Sequence, residues 1–179
     1  MNGSAVGMRF FAVALIGALL SFMLAAPAPA NAEDIPPPTG EVILTVTGNI
    51  GVRNVEDRAE FDLALLRRLP GTEFSTTTIW TDGVGRFKGV SLAALLKAVG
   101  ATGENLTAVA LNDYQISIPV SDAVEGGPIV AYELDGREMS VREKGPLWIM
   151  YPFDDDPSYR RETIYTRCIW QLARLTVVD

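Results

Sequence analysis

Histidine is absent from this 179-residue chain, and cysteine occurs once, at Cys168. Those two shortages exclude most metal chemistry: zinc fingers, catalytic zinc sites, c-type haem attachment and cysteine-held iron–sulfur clusters all need residues that are missing. Nucleophilic catalysis through a Ser-His-Asp or Cys-His arrangement is excluded on the same ground. A lone cysteine forms no internal disulfide, so the fold has to rest on its core. Basic tracts are missing as well, and 22 acidic residues face 15 basic ones. That balance disfavours nucleic acid and anionic lipid as partners and mainly supports solubility. Long apolar runs are equally scarce, and only residues 10–24 make one.

That single run follows Arg9, the only charge among the first 32 residues, and precedes Ala30-Asn31-Ala32, behind which charge begins at Glu33-Asp34. A short positive region, an apolar stretch below the roughly 20 residues of a membrane helix, and small residues at the cleavage positions predict a signal peptide over 1–32. The mature chain then has 14 basic and 22 acidic residues, a net charge of −8, and is expected in the periplasm or secreted, with no membrane attachment after cleavage. Its length suits one domain with a real core. The Pro-rich stretch 33–40 is expected as a flexible leader, and 41–179 as the domain.

Along the domain, 42–48 is a β-branched run and reads as a first strand, with a short second strand at 59–61. Asp62 is placed to cap a helix carrying Leu65, Leu66 and Leu69 inward until Pro70-Gly71 stops it. A Thr-rich strand is expected over 74–80, leading into the turn Thr81-Asp82-Gly83. Ser91 caps the clearest helix, whose Leu92, Leu95, Leu96 and Val99 fall at i, i+3, i+4 and i+7 before Gly100. Strands at 106–111 and 114–120 flank Asn112-Asp113, and 129–134 and 137–139 flank Asp135-Gly136, both hairpin patterns. Pro119 marks a strand end or a sheet edge. Further strands are expected at 147–151 and 170–178, with Trp148, Tyr151 and Trp170 in the core and Asp154-Asp155-Asp156 as a solvated loop. Many strands, few helices and no regular βαβ alternation predict an α+β, mainly β fold.

The ordered set LTVTG (44–48), FDLALLRRLP (61–70), FKGVSLAALLKAVGA (87–101), LNDYQISIPVSDA (111–123), YELDGREM (132–139), KGPLWIMYP (144–152) and WQLARLTV (170–177) resembles the molybdopterin-binding domain of sulfite-oxidase-type oxidoreductases, in a short exported bacterial form. The resemblance spans nearly all of the mature chain. It implies a mainly β fold with a molybdopterin cofactor held between loops at one edge. In catalytic members a cysteine thiolate ligates molybdenum within the segment that corresponds here to 74–89, and this segment contains no cysteine. The family's cofactor is inserted before export through the twin-arginine route, whereas Arg9 is unpaired and predicts Sec-type export of an unfolded chain.

Two readings follow. The first is a cofactor-free module that binds a small ligand or a periplasmic sensor or partner protein. The second is a molybdopterin-dependent oxidoreductase with Asp82 or a Thr hydroxyl as metal ligand, since hard oxygen donors suit a high-valent metal. Candidate ligand-binding residues are Trp80 and Asp82 at a strand end, and Asn112, Asp113 and Tyr114 in a turn. Arg142 and Lys144, in a basic cluster, complete the set. Trp80, Asp82, Tyr114 and Arg142 are expected to converge, giving aromatics with one acid and one base, a set suited to a small polar or zwitterionic ligand. Cys168 is expected as a small buried apolar residue.

Overall fold

A computed structural model describes residues 35–179; the expected signal peptide and Glu33-Asp34 lie outside the described residues. Alternating apolar residues build two five-stranded sheets. The first has the order β2 (Ala59–Phe61), β1 (Leu44–Gly48), β10 (Leu172–Val178), β5 (Asn105–Ala110) and β6 (Gln115–Pro119). Its pairs are antiparallel except β1 with β10, which run parallel. The second sheet places β4 (Val84–Ser91) between β3 (Gly71–Thr77) and β7 (Ile129–Leu134), and β7 also pairs with β8 (Arg137–Glu138) and β9 (Trp148–Met150). Trp148 bridges to Trp170, just before β10, and Ile149 N–H donates to the Ile169 carbonyl, so β9 joins the two sheets.

The inward residues follow the period-2 pattern within β1, whereas register shifts at Lys88/Gly89 in β4 and Leu172/Arg174 in β10 space their buried residues three apart. Leu44, Val46, Leu172, Leu175 and Val177 are buried from the first sheet, and Phe87, Val90, Ile129 and Ala131 from the second. Helix α1 (Leu63–Arg68) starts at Asp62, whose Oδ1 accepts from Leu65 N–H at 2.8 Å. Helix α2 (Leu92–Ala98) starts at Ser91 and buries Leu92, Leu95 and Leu96, the expected stripe. A third helix, α3 (Glu162–Tyr165), is a single turn. No described helix is long and apolar enough to cross a membrane.

Three expectations need correction. The strand expected over 74–80 ends at Thr77, and its unforeseen partner is β4. The stretch 84–90, Val-Gly-Arg-Phe-Lys-Gly-Val, carries two glycines and two cations, which hide a strand from propensity. Gly89 is required by close approach: a Cβ there would lie 2.2 Å from the Val130 carbonyl oxygen across the β4–β7 pair. The described part of the Pro-rich leader, residues 35–40, is fastened rather than free. Asp62 Oδ2 accepts from Thr39 N–H at 3.0 Å and Gly40 N–H at 2.8 Å, and Asn54 donates to the Pro36 carbonyl. Trp148 and Tyr151 are fully buried as expected, but Trp170 keeps 40% of its surface exposed.

Candidate functional site

Where β3 ends, Thr78 turns the chain. Its Oγ1 accepts from Trp80 N–H at 3.1 Å and Thr81 N–H at 3.0 Å, so the loop between β3 and β4 is held by a side chain instead of a ladder. The strand end is pinned from the other side by Asp154, which accepts from the Thr77 N–H at 2.7 Å and hydroxyl at 2.8 Å, while its own N–H donates to Thr76. Arg160 donates to the same carboxylate. These contacts, the Thr77 N–H foremost, hold the Asp154 carboxyl below the usual range. Asp154 is therefore a staple of the strand end and not part of a merely solvated loop. Among the described residues no group of three acids, cysteines or histidines is arranged to hold a metal ion.

So held, Trp80 becomes the hub of an aromatic cluster. Its ring centroid lies 5.8 Å from Trp148, 5.9 Å from Tyr165, and 6.3 Å from both Phe153 and Trp170, with three of the four pairs edge-to-face. Such pairs add about 0.5–1.5 kcal/mol each beyond burial. A cleft of about 530 Å³ opens over this cluster. Ile79 and Trp80 form one wall; Ala110, Asn112 and Tyr114, at the β5–β6 turn, form another; Glu162, Tyr165 and Trp170, from α3 and the segment after it, form a third. The size is that of a small-molecule site. Ile79, Tyr114 and Trp170 remain solvent-exposed at its mouth.

The third wall is tied back by a half-buried polar contact. Tyr151 hydroxyl donates to Asp122 Oδ2 at 2.6 Å, and Arg167 Nη1 donates to the same oxygen at 2.7 Å. Desolvation, and then the carboxylate, push the Tyr151 hydroxyl far up, so it stays protonated as the donor. Cys168 lines the cleft floor but is 2% exposed, and its Sγ donates to the Ile164 carbonyl. Burial pushes this thiol up as well, so it is a neutral side chain and not a thiolate.

Of the residues picked from the sequence, Trp80, Asn112 and Tyr114 meet in the cleft, where Asn112 Oδ1 accepts from Tyr114 N–H. The others do not join them. Asp82 is exposed in the loop before β4 and is not among the residues lining the cleft. Asp113, at φ +63°, turns to pair with Arg174 at 2.7 Å. Arg142 is exposed in the turn Val141–Glu143, and Lys144 places its ammonium 5.6 Å from the Trp148 ring centroid. Among the described residues, the expected acid and base are thus replaced in the cleft by one acid, Glu162, and no base. Glu162 and Tyr165 come from a one-turn helix too short to leave a periodic signal. A search of curated proteins returns no match to this chain. Residues 43–153, which include two of the three cleft walls, match the family model described as the oxidoreductase molybdopterin-binding domain, and the chain belongs to that family.

Proposed function

We propose that the protein is a cofactor-free, extracytoplasmic member of this family, acting as an accessory module that binds a small ligand in the aromatic cleft. The chemistry of the donor set carries the reading. Molybdopterin is an anion that needs a ligand to its metal and cations for its phosphate. Among the described residues the cleft offers a neutral, buried thiol, no lysine or arginine, and one carboxylate of the wrong sign. The residues present therefore do not fit the cofactor. Elsewhere Arg67 and Lys88 flank a second depression, but both are paired with Glu133, at 2.7 and 3.8 Å.

The oxidoreductase alternative would need Asp82 or a threonine hydroxyl to ligate the metal, and Asp82 lies outside the cleft lining. Export as an unfolded chain, inferred from the unpaired Arg9, supports the same conclusion, because a threaded chain carries no inserted cofactor. A ligand-loaded module of this kind would signal to a periplasmic partner protein through the exposed mouth of the cleft. The test is elemental and fluorescence analysis of protein purified from the periplasm. Neither molybdenum at stoichiometric level nor pterin fluorescence after denaturation is expected; about one molybdenum per chain would replace this reading with the enzyme.

A further inference from the structure

The ligand class follows from the charge and electron distribution of the cleft walls. Four aromatic residues, Trp80, Tyr114, Tyr165 and Trp170, line one small space, and among the described residues Glu162 is the only charged one in the lining. Glu162 is exposed and makes no ion pair among the described residues. The three neighbouring arginines stand outside the cleft lining, and two of them are paired with carboxylates. Arg161 Nε donates to the Ser158 carbonyl, Arg160 to the Phe153 carbonyl and Asp154, and Arg167 to Asp122. Lys144 lies against Trp148, which does not line the cleft.

We infer that the cleft takes a small organic cation, an alkylammonium or quaternary ammonium, with the aromatic rings receiving the cationic head and Glu162 supplying the counter-charge. The inference rests on the ligand-binding reading above and deepens it. Ring quadrupoles attract a cation within about 6 Å of a centroid, most strongly at tryptophan, and the attraction grows as the head group is desolvated. An anion placed there would meet a carboxylate and π-electron density, with no lysine or arginine among the described lining residues. A zwitterion, the class that Asp82 and Arg142 would suit if both lined the cleft, would leave its anionic end unpaired among the residues that do line it. The acidic balance of the chain adds an attractive long-range field for cations. Glu162, Tyr165 and Trp170 lie beyond the family match at 43–153, whereas Trp80 and Tyr114 lie within it.

The experiment titrates the mature protein with choline, tetramethylammonium, butylammonium, the neutral choline isostere 3,3-dimethylbutan-1-ol, and 3,3-dimethylbutanoate. Tryptophan fluorescence is the readout, since Trp80 and Trp170, two of the three tryptophans, line the cleft. At least one of the three cations should bind about tenfold or more tightly than the neutral isostere, and the carboxylate should not bind. Glu162→Gln, at an exposed position that should fold normally, should weaken the cation severalfold and leave the isostere unchanged. Trp170→Leu should weaken it further. Equal affinity for choline and its isostere, or a Glu162→Gln variant with unaltered cation affinity, overturns the cation while leaving a ligand-binding cleft standing. No binding by any of the three cations also overturns it, and stoichiometric molybdenum in the protein overturns both readings together.

Discussion

Replacing Asp62 by alanine should destabilise the domain by about 3 kcal/mol, and most of that loss should disappear when the Pro-rich segment is removed first. The carboxylate is 3% exposed and accepts three backbone N–H groups: Leu65 at the start of α1, and Thr39 and Gly40 from the segment before β1. The helix cap is worth about 1 kcal/mol. The two remaining hydrogen bonds contribute about 1 kcal/mol each after water is exchanged. For a domain of this size about 3 kcal/mol lowers the melting temperature by roughly 6–12 °C. In a chain beginning at Glu41, with its terminus acetylated to remove the new charge, only the cap remains and the same substitution should cost about 1 kcal/mol. Urea denaturation of the four proteins completes a double-mutant cycle with a coupling of about 2 kcal/mol. Equal cost of Asp62→Ala in both backgrounds would refute the claim that Asp62 fastens the segment. The pH dependence gives a second check. Hydrogen bonds from Leu65 and then Gly40 hold the Asp62 carboxyl below its ordinary 3.8. A lowered carboxylate stabilises the folded state fully above the unfolded value and loses that contribution as pH falls through the folded one. The stability gap between wild type and Asp62→Asn should therefore be constant above about pH 5 and close as the pH drops below 3.8.

Intact-mass analysis of the exported protein should give a chain beginning at Glu33, as the Ala30-Asn31-Ala32 site and the onset of charge require; a mass that retains 1–32 contradicts the cleavage. Asp82→Asn and Arg142→Gln should leave both the melting temperature, within about 2 °C, and cation binding unchanged, because both residues are exposed and outside the cleft lining. A loss of binding in either variant would return it to the site.

Local rules carried the fold a long way in this chain. Asp62 and Ser91 cap the helices expected of them, and the Leu92-Leu95-Leu96 stripe is buried. The turns at Asn112-Asp113 and Asp135-Gly136 form with Asp113 and Asp135 at positive φ, and the strand pairs around them follow. These features depend on residues within a few positions of one another, where hydrogen-bond geometry and side-chain period act directly. The absence of histidine and of a second cysteine likewise removed whole classes of chemistry without any structure. What the sequence could not expose was assembled at long range. Strand β4 exists because Gly89 admits the Val130 carbonyl, a contact with a residue 41 positions on. Asp154 pins Thr77 across 77 positions, and Asp122, Tyr151 and Arg167 meet from three separate segments of the chain. The sign of charge in the cleft was decided the same way. Asp82 and Arg142 sit on loops that leave the cleft, while Glu162 is carried in by a single helical turn that no periodicity announces. Spacing along a chain reports which residues share a face of one element; only the packing of two sheets joined through β9 decides which faces close on the same space.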